Sequence, residues 1–152
     1  MATTERSHPT TGTLQGATHV FPVRVYYEDT DFTGIVYHAR HLHFFERGRT
    51  EWLRTLGVSH TELADGRFGE VMAFAIQSVA VDYKKPARVD DVLEVTTSLK
   101  QARGARLILD QSMNRPLDGE LIAKAEVAVV LINGSGAPRR VPAEMLALIE
   151  GS

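Results

Sequence analysis

The spacing of apolar residues between positions 39 and 57 follows the period of an α-helix. Charged residues take the opposite side, and Gly57 is typical of the residue that follows a helix C-terminus. The pattern therefore predicts one long amphipathic helix over residues 39–57. Its apolar face, at offsets 0, 3, 10, 11 and 14, consists of Leu42, Phe45, Trp52, Leu53 and Leu56, and Phe44 widens it.

Five other segments have the apolar and β-branched composition of strands. Turn signals separate them, and Asp118-Gly119 in particular suits a tight hairpin. Two shorter helices are also predicted, one over residues 59–64 with Ser59 as its N-cap and one that begins near Pro142. The predicted strands are residues 20–27, 71–81, 89–99, 106–113 and 121–132.

The order of these elements is a strand, one long helix and then four strands joined mostly by short turns. This order indicates an α+β fold in which an antiparallel sheet of about five strands packs on one helix, rather than a βαβ series. Such a sheet leaves an edge strand open, and an open edge is safest when a second subunit covers it. We therefore expect a homo-oligomer.

Composition narrows the class of protein. The 152 residues include 17 Lys and Arg against 19 Asp and Glu, and this near-neutral balance argues against nucleic-acid binding. The absence of cysteine excludes disulfides and thiolate chemistry. Apolar runs are too short to span a bilayer, and residues 1–18 lack a signal-peptide core. We expect a flexible tail over residues 1–18, a single domain over 19–152 and a cytoplasmic location.

The densest polar cluster is residues 27–31, with His38, His41 and His43 following. One interpretation is a calcium loop that starts at Asp29, but Arg40 stands where that loop needs a bidentate Glu. The histidines do not form a zinc motif, so no metal is predicted. A second interpretation is a turn held only by local side-chain bonds.

The third interpretation is catalysis. A carboxylate in a loop can act as a nucleophile or activate water, while the N–H groups of the following helix stabilise charge on an oxygen. Gly34 would let backbone approach a substrate closely. This arrangement suits hydrolysis of an activated acyl group, and no G-x-S-x-G elbow offers a serine nucleophile. Dinucleotide and P-loop motifs are also missing, so dinucleotide and nucleoside-triphosphate chemistry lack support.

The stretch VYYEDTDFTGIVYHA over residues 25–39 resembles the signature of the hot-dog-fold acyl-CoA thioesterases. It is most similar to the Tol-Pal-associated branch, related to 4-hydroxybenzoyl-CoA thioesterase. The likeness continues at residues 44–54, 81–88, 118–119 and 140–142, and it spans about residues 19–149. The resemblance implies a hot-dog fold and hydrolysis of acyl-CoA without a metal or organic cofactor. It also implies dimers with composite sites at the subunit interface, often paired into tetramers.

The resemblance also implies roles for individual residues. Asp31 matches the catalytic carboxylate, as nucleophile or general base. His38 matches the residue whose backbone N–H contacts the thioester carbonyl, and Tyr27 is a supporting residue. Gly34 and Tyr37 are assigned to substrate binding. Basic residues near strand ends are candidates for the phosphates of CoA, namely Lys84, Lys85, Arg88, Lys100, Arg103 and Arg106.

Alternatives stay open beside this hypothesis. Asp29 can serve only to brace the turn, and Glu46 can pair with Arg47 or Arg49 on the helix surface. A helix start with Arg40, His41 and His43 departs from many relatives; these side chains either alter the acyl group that fits or face solvent. The competing function is a non-catalytic module that binds acyl-CoA or docks an acyl carrier protein.

Overall fold

The computed structural model of the chain describes residues 7–151. Within that range the chain forms a six-stranded antiparallel sheet and three α-helices. The strands are β1 Thr13–Gln15, β2 Thr18–Arg24, β3 Met72–Tyr83, β4 Val92–Arg103, β5 Arg106–Arg115 and β6 Glu120–Asn133, and the helices are α1 Arg40–Thr55, α2 His60–Ala64 and α3 Ala143–Glu150.

The strand order across the sheet is β1-β2-β4-β5-β6-β3. Strands β4, β5 and β6 are consecutive hairpins, whereas β3 pairs with β6 at the far edge. The segment between β2 and β3 contains α1, which packs against β2 and β4. The predicted α+β architecture is therefore confirmed. Two edges remain among the described strands: the three-residue β1 and the twelve-residue β3.

Helix α1 confirms the predicted long helix, but its buried face is rotated from the predicted one. Leu42 is 42% exposed, and His41 is buried in its place at 4%. The reason is Gly48, which lies against β4: a Cβ at this position would stand 2.6 Å from Cγ1 of Val95. The missing side chain lets the helix backbone approach the sheet there, so the contact face is centred on Gly48. The buried α1 residues are His41, Phe44, Phe45, Gly48, Trp52 and Leu53.

The sheet begins earlier than predicted. Strand β1 pairs with β2 inside the segment expected to be a tail, and the fully buried His19 holds it there. Nε2 of His19 lies 2.7 Å from the carbonyl oxygen of Thr11 and 3.3 Å from Oγ1 of Thr55 on α1. A sequence pattern based on apolar residues does not reveal this polar contact. The part of the predicted tail over residues 1–6 lies outside the described residues.

The first predicted strand ends sooner than expected. Residues 25–26 lie outside β2, and Tyr27–Asp29 forms a single 3₁₀ turn. The carboxylate of Asp29 turns the chain here, because its Oδ2 accepts a hydrogen bond of 2.7 Å from the backbone N–H of Tyr26. The other predicted strands are confirmed within a few residues at each end. Both short helices are confirmed, and Ser59 caps α2 by accepting the N–H of Glu62. In residues 7–151 no helix is long and apolar enough to cross a membrane.

Candidate active site

The loop that carries the predicted catalytic acid is a narrow, backbone-bonded turn. Thr30 and Val36 form an antiparallel bridge, and the N–H of Asp31 donates to the carbonyl of Ile35 at 3.0 Å. The N–H of Gly34 donates to the carbonyl of Asp31, also at 3.0 Å. Gly34 has a φ of +80°, which disfavours any side chain, and open space surrounds it. The turn therefore presents Asp31 at its tip.

The carboxylate of Asp31 is exposed and held by one neighbour. Its Oδ1 accepts hydrogen bonds from the backbone N–H of Thr33 at 2.8 Å and from the Thr33 hydroxyl at 2.5 Å. These two donors lower the pKa of Asp31 below its ordinary value, and a smaller electrostatic contribution from the nearby His38 acts in the same direction. The side chain is therefore an ionised acceptor at neutral pH, as nucleophilic attack or water activation requires.

Asp29 has a different environment. It is 3% exposed, and its Oδ1 lies 2.9 Å from Nε of Arg40, while its Oδ2 accepts the N–H of Tyr26. These contacts brace the turn, as the alternative interpretation of Asp29 expects. Arg40 also donates from Nη2 to the carbonyl of Glu28 at 3.1 Å. Its guanidinium therefore joins the first turn of α1 to the acid loop instead of facing only solvent.

The chain just before α1 presents unpartnered donors. Among residues 7–151 no acceptor contacts the backbone N–H of His38 or of Ala39. The carbonyl of Tyr37 accepts the N–H of Arg40 at 2.8 Å, which polarises the peptide whose N–H belongs to His38. Two free N–H groups at the start of a helix are donors of the kind that can stabilise negative charge on a substrate oxygen.

Two residues that sequence reasoning did not assign to the site support this helix start. Tyr83 donates its hydroxyl to the carbonyl of His38 at 2.8 Å, and Nδ1 of the buried His41 lies 3.1 Å from the same oxygen. The two rings meet edge to face with centroids 4.9 Å apart. Burial lowers the pKa of His41, so its imidazole is neutral and Nδ1 can donate its hydrogen to the carbonyl.

Only weak sequence features indicate that His41 and Tyr83 belong to this site. His41 follows His38 by three residues, which places both on one side of the helix start. Tyr83 lies inside the third stretch of family resemblance, residues 81–88, whose basic residues are the predicted phosphate ligands.

A groove opens beside the helix start, and cationic side chains border it. Its lining includes Ile35, His38 and Tyr83 together with Lys84 and Lys85. Arg88 lies close to this groove, because its backbone forms an isolated β-bridge with Ile35 of the acid loop. Within residues 7–151 none of the side chains of Lys84, Lys85 and Arg88 is ion-paired. Three free cations thus lie next to the acid loop.

Other predicted site residues are placed differently. The side chain of Tyr37 is half-exposed and its ring centroid lies 4.5 Å from that of His38, whereas Tyr27 is 86% exposed and its hydroxyl forms no hydrogen bond among the described residues. Arg103 and Arg106 lie at the far end of the β4–β5 hairpin. Since β4 runs twelve residues from Val92, they are about 36 Å along the strand from the acid loop. Lys100 is ion-paired with Glu126 on the sheet surface.

A second cavity, of about 200 Å³, lies between α1, α2 and the sheet. Phe74 and Ile76 of β3 contribute to its mostly apolar lining, and Glu46, Arg49, Thr50 and His60 are the polar residues there. Glu46 forms no ion pair within residues 7–151, so the suggested pairing with Arg47 or Arg49 is not found. Arg49 instead donates from Nη1 to Oε1 of Gln111 at 3.0 Å.

An antiparallel sheet packed on one long helix, with an acid loop beside that helix's free N–H groups, defines the hot-dog fold class. Residues 25–149 match the thioesterase-like superfamily, and the chain belongs to this family. The resemblance of residues 25–39 is thereby confirmed.

Three similar proteins illustrate the relationship. The acyl-CoA thioesterase YbgC of Haemophilus influenzae is 43% identical over 84% of this chain and 90% of its own. The crystal structure of a probable thioesterase from Bartonella henselae is 42% identical, with a TM-score of 0.80 over 83% of this chain and all of that one. A 4-hydroxybenzoyl CoA thioesterase is only 21% identical; its TM-score of 0.80, over 88% of this chain and 99% of its own, shows the shared fold.

Proposed function

We propose that this protein hydrolyses an acyl-CoA thioester to a free carboxylic acid and CoA. The observation that carries the proposal is that two groups occur on the same short segment: the ionised carboxylate of Asp31 and the polarised backbone N–H of His38. No acceptor within residues 7–151 contacts that N–H. The acyl-CoA thioesterase activity named for the 43% identical relative supports the same reaction.

The reaction uses both groups at once. The thioester carbonyl oxygen accepts the N–H of His38, and this contact strengthens as negative charge develops on the oxygen. Asp31 either attacks the carbonyl carbon directly or removes a proton from an attacking water. If Asp31 attacks, the carbon–sulfur bond breaks and leaves an acyl–Asp31 anhydride, which water then hydrolyses to the free acid and the Asp31 carboxylate. If water attacks, its oxygen bonds to the carbonyl carbon as the carbon–sulfur bond breaks, and Asp31 takes up the proton of the water. In both cases the sulfur leaves as the CoA thiolate, which takes up a proton. Tyr27, exposed on the same loop, is a supporting residue in this proposal.

The cationic segment beside the groove suits the anionic end of CoA. Lys84, Lys85 and Arg88 carry charges that no carboxylate of residues 7–151 neutralises, and they lie next to the acid loop. Phosphate groups bind such side chains by charge-assisted hydrogen bonds. Gly34 and Tyr37 then lie beside the pantetheine arm and the thioester in this proposal.

A second copy of the chain completes the site. Strand β3 is a twelve-residue edge whose outer side pairs with no described strand, and such an edge favours pairing with another chain. Antiparallel β3–β3 pairing would place the Met72 end of one chain beside the Tyr83 end of its partner. Arg106 lies level with the Met72 end, because it pairs with Val130, which in turn pairs with Ala75.

The consequence is that Arg103 and Arg106 of one chain approach the acid loop of the other. The cavity lined by Phe74 and Ile76 lies at the same end, where it offers apolar room for an acyl group. This arrangement accounts for two arginines that are remote from Asp31 in their own chain. The assembly is a homodimer or a dimer of such dimers, as in a homotetramer.

Mixing two inactive variants tests the composite site. A dimer of Asp31→Asn with the double variant Arg103→Ala/Arg106→Ala holds one intact site and one doubly damaged site. Equal mixing with subunit exchange should restore about a quarter of wild-type turnover, because about half of the dimers are mixed and each has one good site. No recovery after demonstrated exchange would place the arginines outside the partner's site.

The main test is thiol release from short, long and aromatic acyl-CoAs by the wild type and Asp31→Asn. The variant should lose at least about a hundredfold in turnover with its oligomeric state unchanged. Glu28→Gln, on the same exposed loop, is the matched control and should stay near wild type. Equal turnover by Asp31→Asn would remove Asp31 from the mechanism.

The alternative function predicts a different result. A module that binds acyl-CoA or docks an acyl carrier protein would bind CoA without releasing thiol from any acyl-CoA. Acylated carrier protein, added to the same panel, separates a carrier-dependent hydrolase from a binding module. A cytoplasmic location and a place in the Tol-Pal-associated branch stay predictions, and cell fractionation tests the first.

A further inference from the structure

The loop between β3 and β4 is held from several directions. Its Ala87 is fully buried, and the carbonyl of Ala87 accepts the N–H of Val36 at 2.8 Å. Asp90 adopts a φ of +72°, the left-handed region that is costly for a residue with a side chain. Such a conformation persists only where surrounding contacts fix it. This loop carries Lys85 and Arg88 toward the acid loop.

Arg115, at the end of β5, provides two of the contacts that fix this loop, beside the backbone hydrogen bonds that join Asp90 and Asp91 to Val25. Its Nη1 donates to the carbonyl of Pro86 at 3.2 Å and to Oδ2 of Asp91 at 3.0 Å. The same Oδ2 of Asp91 accepts the backbone N–H of Arg88 at 2.9 Å. One guanidinium nitrogen therefore holds both ends of the segment that contains Ala87 and Arg88.

The β5–β6 turn fixes Arg115 from the other side. Its Nε donates to both carboxylate oxygens of Asp118, and its Nη2 lies 2.9 Å from Oδ2 of that residue. This pairing raises the pKa of Arg115 and lowers that of Asp118, so both stay charged. The Arg115 side chain is only 17% exposed. A planar group bonded on both sides has little freedom to move.

We infer that Arg115 is a positioning residue for CoA: it fixes the Pro86–Asp91 loop so that Arg88 meets the CoA phosphates together with Lys84 and Lys85, whose backbone N–H groups are held by the carbonyl of Ile122 on β6. The Nε and Nη1 donors of Arg115 are occupied by Asp118, Asp91 and Pro86, so its role is to position Arg88 and not to bind phosphate. This inference rests on the proposed function in taking CoA as the ligand. Without the clamp Arg88 loses its fixed position relative to the two lysines, and binding then includes the cost of ordering it.

The test compares CoA with pantetheine, which contains the same thiol arm but no phosphate. Arg115→Gln should weaken CoA binding about tenfold in titration calorimetry, with pantetheine binding unchanged. With acyl-CoA as substrate, KM should rise about tenfold while kcat stays within about twofold, and KM for the matching acyl-pantetheine should not move. A general loosening of the fold would instead change kcat for both substrates.

Two variants complete the design. Asp118→Asn removes the carboxylate behind Arg115 but leaves the donors to Pro86 and Asp91, so it should change KM for acyl-CoA less than threefold. Asp91→Asn removes the ion pair yet keeps an acceptor for Arg88, and it should show a weaker form of the same KM split. Asp91→Asn also tests the inference if Arg115→Gln does not fold.

The outcomes separate this inference from the proposed function. Equal changes with CoA and pantetheine, or CoA binding that neither Arg115→Gln nor Asp91→Asn alters, would overturn the positioning role while thiol release by the wild type still stands. A wild type that binds CoA and releases no thiol would remove the hydrolase proposal. Selective loss of CoA binding in Arg115→Gln would then still support the clamp.

Discussion

The guanidinium of Arg40 reaches from the first turn of α1 to the buried carboxylate of Asp29, with Nε and Oδ1 2.9 Å apart. Asp29 is 4% exposed at its side chain and belongs to the 3₁₀ turn that leads into Asp31. The contact therefore joins the acid loop to the free N–H groups at the start of α1. This ion pair acts together with the hydrogen bonds from Arg40 Nη2 to the carbonyl of Glu28 and from the N–H of Tyr37 to the carbonyl of Asp29 to hold the two halves of the proposed catalytic site together.

Replacing Arg40 should loosen both halves. In Arg40→Met the Asp29 carboxylate keeps the N–H of Tyr26 but loses its counter-charge, and removing one partner of a buried pair is destabilising. Because Arg40 is partly exposed, we expect a loss of about 2 kcal/mol in the free energy of unfolding. Urea denaturation measures it, and kcat should fall as well.

Lys100→Met is the surface control. Lys100 pairs with Glu126, and both side chains are 52% exposed. Surface ion pairs in general contribute about 0–1 kcal/mol. Equal losses of unfolding free energy in the two variants would mean that the Arg40–Asp29 pair contributes no more to stability than a surface ion pair does. Asp29→Asn, which keeps an acceptor for Tyr26, should cost far less turnover than Asp31→Asn.

The sequence was sufficient to predict helix α1, the long strands and the acid loop. Helix α1 and the long strands follow from apolar periodicity, which depends on near neighbours along the chain. The loop from Asp29 to Gly34 is also local, since its turn-forming residues lie within a few positions. Asp31 and His38 could be selected because their spacing matches a family signature.

Periodicity could not reveal contacts made across the sheet. Leu42 fits a helical face as well as His41 does, and only the close approach at Gly48 decides which of them is buried. The hydrogen bond from Tyr83 to His38 joins residues 45 positions apart, and the contact of Arg115 with Pro86 joins residues 29 apart. Such pairs depend on strand register, which the sequence pattern leaves open.

The pH dependence of turnover should report on Thr33. Its hydroxyl lowers the pKa of Asp31, so the carboxylate stays ionised to lower pH than an ordinary Asp. Thr33→Val removes that donor and raises the pKa, so the acid limb of kcat/KM should move to higher pH. A pH–rate profile from roughly pH 3 to 6 measures this shift.

The same pKa shift affects stability. The contribution of the ionised carboxylate is present above the unfolded pKa and disappears as pH falls through the lower folded pKa. Thr33→Val should reduce this contribution of the Asp31 carboxylate to the free energy of unfolding. Thr33→Ser keeps a hydroxyl and should retain the wild-type profile. Identical profiles for the Val and Ser variants would show that the side chain of Thr33 does not tune Asp31.

Tyr83→Phe tests the polarised helix start. The variant removes the donor to the carbonyl of His38 but keeps the ring against His41. A hydrogen bond of about 1 kcal/mol corresponds to roughly a fivefold change in rate, so kcat should fall by about that factor with KM nearly unchanged. Steady-state kinetics with one acyl-CoA measures both values.

Tyr37→Phe is the comparison for that result. The hydroxyl of Tyr37 forms no hydrogen bond within residues 7–151, so its loss should leave kcat within about twofold. A rise in KM alone in Tyr83→Phe would indicate that the hydroxyl contacts substrate rather than the carbonyl of His38.

Gly48 should resist substitution although it lies inside a helix. Alanine would gain about 1 kcal/mol of helix propensity, but its Cβ would lie 2.6 Å from Cγ1 of Val95. Val95 is fully buried and β-branched, so it cannot turn away, and overpacking costs about 1–3 kcal/mol. Gly48→Ala should therefore lower the free energy of unfolding by about 1 kcal/mol.

In a Val95→Ala background the obstructing methyl is gone, and the same substitution should be neutral or stabilising. Urea denaturation of all four proteins measures this coupling. Equal destabilisation in both backgrounds would show that the close approach of α1 to β4 is not what selects glycine here.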